Sequence, residues 1–595
     1  MADFRKWIPV LAVVALLVGA TSVNAQLPEA QTFQCTANAG VTPLVRAEGI
    51  AELVGDLLLN CSGTVPTGGI TSNIRILANT TVTSKIAGGP LPSGSEALLL
   101  INDPAPAAQI VRVYPSIDNS VNPNVFQGAN YAANVVDWYS IPIATAAEAG
   151  TTVTKTLRIT DIRANAAQLG VSSTLIPQPI QLSISISGAT SVGVNNPTQT
   201  VAWVQKGLTF SAQDGITHLR QCEPRPFGEP IVVTFTEGFA SAFKAQGDST
   251  QQNPGTSYNT ESGLIPAGLA AYSLATQGTR FMAVFTNVPT GITLTAEGNF
   301  NIPSTGLTVQ SVSGADENGN GGTVSGADIA FGTGGTITFV WEVTAAPADS
   351  IGRNEIVDFN VTPSWSISSP PAGGTTMTVR GNYAPISTIT TASHSAPLPR
   401  FQDTSSAITG GAITIEPCRT VLLFPYVTNA AGFDTGIAIS NTSMDPFDAS
   451  IVPDSVALLK AVPAKKIIST GSVEQSGTCQ LNYYGNTPAT GGEAPDAVTT
   501  PEIGAGEQLA FIVSSGGAVV GTTKTCVECA TPGFHGYVIA ICDFQYAHGF
   551  AFVSDLGSAK LAEGYLALVI PDRGTRGARA FSYGAHYNDA EQLAY

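Results

Sequence analysis

The sequence predicts an all-β chain of tandem Ig-like β-sandwich domains with few short helices, and three observations lead there. Most of it consists of runs of five to nine Val, Ile, Thr, Leu and aromatic residues bounded by Gly, Pro, Asn, Asp or Ser, the pattern of short strands between turns. Gly 61 and Pro 38 punctuate the 595 residues, and only 12% are charged, which excludes coiled coils, long helical arrays and charge-driven disorder. Hydrophobic residues make up 43%, enough for several buried cores.

Taken in chain order, residues 1–25 read as an export signal. Arg5 and Lys6 precede an apolar run from Ile8 to Val18, and Val23-Asn24-Ala25 supplies a small-x-Ala cleavage site, so cleavage is expected after Ala25. The run is about eleven residues, short of the roughly twenty a membrane helix needs, and no later segment offers a span in the mature chain. A secreted, extracellular or cell-surface location follows as the expectation, and it makes disulfides the default reading of the eight cysteines.

Residues 26–215 read as an N-terminal β-sandwich domain. Expected strands are Asn73–Val82, Ala97–Ile101, Gln109–Tyr114, Thr152–Ile159, Ile180–Ile186 and Val201–Phe210. In the fifth, Ile180, Leu182, Ile184 and Ile186 alternate with Gln181, Ser183 and Ser185, so one face is buried and the other meets water. Cys35 and Cys61 stand alone in this third, and their pairing would close a loop of about 26 residues for about 3 kcal/mol.

Residues 216–400 read as a central β-sandwich region, as one unit or two smaller ones, with strands at Ile231–Thr236, Phe281–Thr286, Ile292–Ala296, Thr336–Val343, Glu355–Val361 and Thr376–Gly381. Phe239 and Phe243 fall four apart in Glu237–Lys244, but two turns suit a strand connector better than a helix. Cys222 and Cys418 flank this region as a staple between domains.

Residues 401–572 read as a C-terminal disulfide-rich β domain holding Cys479, Cys526, Cys529 and Cys542, with three connectivities open. From Cys542 to Phe552, Cys542, Phe544, Tyr546, His548, Phe550 and Phe552 alternate with small or polar residues, predicting one strand face lined with aromatics, with Gly549 marking a bulge or close packing. Residues 573–595 form a tail holding Arg573, Arg576 and Arg579.

Catalytic motifs are missing. None of the five histidines opens an H-E-x-x-H, and neither G-x-S-x-G nor a phosphate-binding G-x-x-x-x-G-K-[ST] occurs, so no enzyme is predicted and no cofactor is required. A net charge of −17 repels phosphate and argues against nucleic acid as a partner. Cys526-Val-Glu-Cys529 with His535, Cys542 and His548 has the ligand types of a zinc site, yet in an exported chain disulfides take precedence. Asp316, Asn318 and Asn320 match the first half of a calcium loop, with Asp328 as a fourth oxygen donor. Ala327 occupies the position where a bidentate Glu belongs, so a Gly/Asn-rich hairpin turn is the stronger expectation and calcium the weaker. Asn60, Asn79, Asn360 and Asn441 open N-x-[ST] sequons, candidate glycosylation sites if exposed.

Several stretches carry a resemblance. Arg46–Gly63 (RAEGIAELVGDLLLNCSG), Gly278–Ile292 (GTRFMAVFTNVPTGI), Leu422–Thr442 (LLFPYVTNAAGFDTGIAISNT) and Gly533–Gly557 (GFHGYVIAICDFQYAHGFAFVSDLG) resemble uncharacterised secreted multi-domain β-rich proteins of environmental, acidobacteria-like bacteria. The resemblance implies an exported bacterial protein of modular β architecture and transfers no catalytic residue.

Two functions are compatible with these readings. The leading one is an extracellular structural or adhesive protein, a self-assembling surface filament subunit that binds itself head to tail, or other surface proteins or glycans. An extended segment such as Gln26–Gln34 would add a strand to the next subunit. The alternative is a secreted carbohydrate-binding or glycan-active protein, using Trp138, Tyr139, Trp203, Trp341 and Trp365 to stack on sugars and paired carboxylates about 5–10 Å apart for any hydrolysis.

Overall fold

A computed structural model describes the chain from residue 32 to residue 570, apart from 171–175, 213–217, 221–229, 333, 347–352, 366–370, 372–374, 405–408, 417–418, 444–474, 488–491, 518–523, 556–557 and 559. The chain is all-β. Strands dominate the described residues, and the α-helix there is the single turn Ala270–Ser273.

The first module is built on a twelve-stranded sheet, in which Val111–Arg112 pairs with Val125–Ala132 off the main path, and Glu52–Leu53 pairs separately with Arg163–Ala164. Its path runs from Gly193–Asn195 through Gln34–Ala39, Leu57–Thr64, Thr152–Thr160, Ser93–Ile101, Val125–Ala132, Val135–Ala144, Ile70–Ala78, Gln178–Gly188 and Thr198–Gln205 to Leu44–Arg46. Alternation drives the curl: in Ile70–Ala78 the residues Ile70, Ile74, Ile76 and Ala78 are buried, while Thr71, Asn73, Arg75 and Leu77 face solvent. The inward set meets Leu57, Leu59, Phe126 and Trp138 in one core. Cys35 lies directly opposite Cys61 on neighbouring strands, and the two are joined by a disulfide. Ser93–Ile101 is covered on both faces, because Leu98 and Leu100 pack against Leu264 and Leu269 of the next module.

The second module pairs a five-stranded with an eight-stranded sheet. Its core is aromatic: Trp341 stacks on Phe359 with centroids 4.2 Å apart, and Phe235 touches Phe210, Phe281, Trp341 and Phe359. Glu237–Lys244 is a turn, and it buries Phe239 and Phe243 in this core.

The third module packs a five-stranded sheet (Val498–Thr499, Cys479–Asn486, His535–Cys542, Thr420–Thr428, Leu568–Ile570) on a four-stranded one (Gln508–Ile512, Asp434–Asn441, Ala547–Ser554, Ala562–Leu566). Disulfides join Cys479 to Cys542, which are cross-strand neighbours, and Cys526 to Cys529. Cys222 and Cys418 lie outside the described residues.

Several expectations need correction. Val201–Phe210 is two strands, since Thr198–Gln205 closes the first sheet while Leu208–Ala212 opens the second. The chain therefore crosses between the two sheets at Lys206-Gly207 rather than at 215, a short polar break between two strand-forming runs that has no turn cluster to mark it. Thr409–Glu416 pairs with Thr376–Ala384, so the central sheet extends past 400. Only Val111–Arg112 of Gln109–Tyr114 is strand, and Ile110 and Val113 are exposed. The Cys542–Phe552 alternation is broken by a turn in which Tyr546 has φ 61°. Beyond it, Ala547, Gly549 and Ala551 face the core and Phe550 and Phe552 face out. The core side is small because it is crowded: a Cβ on Gly549 would lie 2.6 Å from the Phe424 ring.

Candidate functional site

Two features concentrate the chemistry: a buried charged seam between the first two modules, and apolar outer faces on the third.

The seam centres on Arg46, which is 1% exposed at the end of the Leu44–Arg46 strand. Its Nε donates to Glu52 Oε1 at 2.9 Å within its own module. Nη1 reaches across to Glu261 Oε1, Thr279 Oγ1 and the Ala242 carbonyl at 2.9, 2.9 and 3.0 Å, and Nη2 reaches Glu261 Oε2 at 3.1 Å. The guanidinium also lies 4.7 Å from the Phe401 ring centroid. Burial by itself would depress the Arg46 pKa, but the facing Glu261 and Glu52 carboxylates outweigh it and hold it well above its ordinary value. Burial likewise pushes Glu261 up, and Arg46 with Lys244 more than reverses this, so Glu261 stays below the usual carboxylate range.

A second arginine repeats the arrangement. Arg163 donates from Nε to Glu96 at 3.0 Å and from Nη2 to the Glu261 carbonyl at 2.6 Å. Beside it, Asp161 accepts the Leu264 N–H at 2.9 Å through Oδ1, while Oδ2 is buried without a hydrogen-bond partner. Burial first, and the nearby Glu96 second, raise the Asp161 pKa well above normal. The Gly207 N–H donates to Glu48 at 2.9 Å and the Tyr383 hydroxyl donates to the Gly207 carbonyl at 2.8 Å, pinning the crossover itself. Such a network locks two modules together: removing one partner of a buried pair costs about 3–5 kcal/mol.

In the third module both sheets turn apolar side chains outward. On the four-stranded sheet, Leu566, Phe550 and Ala438 form one outward cross-strand row that ends at the buried Ala510, and Gly564, Phe552, Gly436 and Ile512 form the next. Phe550 is 42%, Phe552 44% and Leu566 65% exposed. Ala562–Leu566 is the edge strand of this sheet and mostly solvent-facing. On the five-stranded sheet the outward rows are Leu568, Leu423, Ile539 and Asn482, then Ile570, Val421, Ile541 and Gln480. Tyr484 and Tyr537 stack beside them at 4.9 Å.

The sequence-derived candidates disperse. Asp316 closes a hairpin turn, its Oδ1 accepting the backbone N–H groups of Asn318 and Asn320. Asp328 sits at the other end of that hairpin, accepting the Gly298 N–H, and the loop carbonyls of Gly319 and Gly321 accept from the Arg280 guanidinium. The structure therefore does not bring the four oxygen donors together. Among the described residues no group of three or more His, Cys, Asp and Glu is placed to hold a metal ion. The zinc arrangement is contradicted directly, because Cys526, Cys529 and Cys542 are spent in disulfides. Asn60, Asn79 and Asn360 are exposed. Asn441 is 1% exposed and donates to the Gln475 and Ile503 carbonyls, so it is no surface acceptor.

Trp138, Trp341 and Trp365 are core residues, which removes them as sugar platforms; Trp203 is 38% exposed and Tyr139 half-buried. Gln34 pairs on both sides of its own sheet, with Ser62 and Gly193, and so is not a free donor strand; residues 26–31 lie outside the described residues. Neither the seam nor the outward Phe pair was read from the sequence. The seam had no local signal, whereas the alternation at 547–552 contained the second and lacked only its direction.

No family model matches the chain, and no curated protein matches it. Similar solved structures include a serine-rich repeat adhesion glycoprotein of Streptococcus agalactiae, 8% identical over 63% of this chain and 97% of that one, with a TM-score of 0.18. The pilus backbone of Streptococcus pneumoniae is 11% identical over 90% and 93% of the two chains, at 0.17. The T6 backbone pilin of serotype M6 Streptococcus pyogenes is 8% identical over 90% and 80%, at 0.19. At these scores nothing about function rests on the likeness. Among the described residues no helix is long and apolar enough to cross a membrane.

Proposed function

We propose that the chain is an exported structural or adhesive protein of the cell surface that associates with further copies of itself through its third module. The observation that carries this reading is the solvent-facing Phe550, Phe552 and Leu566 surface beside Ala562–Leu566, which among the described residues is the last strand of its sheet. An unpaired edge offers backbone donors and acceptors to another strand, and the adjoining aromatic face rewards its docking by burial. The rigid coupling of the first two modules supports a spacer role, since contact made at one end is transmitted through a stiff body. A contact between unlike surfaces need not close on itself and propagates as a fibre.

The glycan-binding alternative keeps only Trp203 and Tyr139 of its original aromatic set outside the core. Light scattering and electron microscopy of the purified chain over a range of concentrations test the proposal. Ordered oligomers or filaments are expected. Isolated monomers at high concentration, with specific retention on one polysaccharide in a glycan array, would overturn it in favour of the alternative.

A further inference from the structure

Residues 263–269 of the second module lie against the first and are held there by two kinds of contact. Leu264 and Leu269 are buried, and they pack with Leu98, Leu100 and Val125. Beside them the Leu264 N–H donates to Asp161 Oδ1 at 2.9 Å. The fit is tight, because a Cβ on Gly263 would stand 2.0 Å from that same oxygen. Gly263 and Gly268, the latter at φ 86°, give the segment backbone freedom at both ends.

Asp161 follows the Thr152–Thr160 strand and is 3% exposed. Charged and titratable groups approach it from every side. Glu96 comes from Ser93–Ile101, Asp56 from just before Leu57–Thr64, Arg163 from two positions along the chain, and Tyr258 from the second module. Arg163 is committed to Glu96 at 3.0 Å, which also accepts the Lys85 N–H at 2.7 Å, and Arg158 is committed to Asp56 at 2.6 Å. Glu261, on the same stretch as Leu264, is turned to Arg46 at 2.9 Å. Asp161 Oδ2 is left without a hydrogen-bond partner. A neutral carboxyl tolerates such a place, whereas an ionised one is a sealed charge with one oxygen unpaired and two like-charged neighbours. Burial first and Glu96 second accordingly raise its pKa well above the ordinary value.

We propose that Asp161 is a proton-operated latch: with its carboxyl neutral it seats residues 263–269 on the first module, and on losing the proton to water it releases them and uncovers Leu98, Leu100 and Val125. The Arg46–Glu261 pair lies outside the released segment, so the two modules stay joined. Because the folded carboxyl keeps its proton to higher pH than an unfolded one, the latch is closed on the acid side and opens as pH rises. The third module takes no part, so the latch does not depend on self-association.

Hydrogen exchange of the intact protein, read by mass spectrometry and corrected for the intrinsic pH dependence of amide exchange, tests this. In the parent, protection of the peptide spanning residues 263–269 should fall at least about tenfold between about pH 5 and about pH 9, while Cys479–Asn486 of the third module keeps its protection. Binding of a fluorescent hydrophobic dye should rise over the same interval. Asp161→Asn keeps an acceptor for the Leu264 N–H and cannot ionise, so its protection and dye binding should be flat. The parent profile needs no variant, and a flat one overturns the proposal by itself. An Asp161→Asn profile that follows the parent's would overturn it too. So would a fall shared by the third module, which assigns the change to unfolding of the whole chain.

Discussion

At the scale of residues, the decisive groups are charged side chains with no access to water. Asp161 illustrates a cost. Its folded pKa is raised by burial, so the folded state holds a proton that the unfolded chain, with a carboxyl near about 3.9, releases earlier. Its contribution is therefore favourable at low pH and is lost as pH rises from about 4 through the folded value. Asp161→Asn keeps an acceptor for the Leu264 N–H and removes the ionisation. Thermal melts as a function of pH should show the variant more stable than the parent at neutral pH, with the gap closing below about pH 4; a gap independent of pH would refute the assignment. Glu261 behaves oppositely. Its folded pKa is lowered, so its stabilisation is present above the unfolded value of about 4.3 and lost as pH falls through the folded value. Glu261→Gln leaves Arg46 facing Glu52 alone, and chemical denaturation at neutral pH should show a loss of about 3–5 kcal/mol.

At the scale of elements, alternation decides what each strand buries. Ile180, Leu182 and Ile184 face inward as their spacing requires, and Ile292–Ala296 forms over the residues expected. Alternation does not say which face is inward. In Ala547–Ser554 the bulky face is outside, since Phe424 and Ala567 leave no room at Gly549. Phe550→Asp with Phe552→Asp should therefore leave folding intact and abolish self-association, read by light scattering; unfolding of this double variant would place the pair in the core instead. The disulfide of Cys35 and Cys61 closes a 26-residue separation across adjacent strands. Replacing both by Ala should cost about 3 kcal/mol in denaturant unfolding by the chain-entropy estimate.

At the scale of the whole molecule, the described residues form three large cores and smaller satellite clusters, and the first two large cores are coupled by Arg46, Arg163 and the Gly207 crossover. The first two modules should melt in a single calorimetric transition separate from that of the third. Arg46→Ala should split that transition in two, because the variant strands Glu52 and Glu261 in a dry interface. An unsplit peak would mean that Arg163, the Gly207 crossover and the apolar contacts of Leu98, Leu100, Leu264 and Leu269 hold the coupling without Arg46.

The β class, most strand positions and the isolation of Cys35 with Cys61 could be read from residue order, because they depend on two-residue periodicity, turn formers and local spacing. The partners of Arg46 could not, since Glu261 and Thr279 lie more than two hundred positions away and bond to it only once two sheets have met. For the same reason Asp328 looked adjacent to Asp316 in the chain yet sits at the opposite end of a hairpin, and Trp138 looked available yet fills a core. Periodicity is a property of neighbours along the backbone, so order along the chain carries it; burial and pairing are properties of surfaces brought together, and only the packed modules decided them.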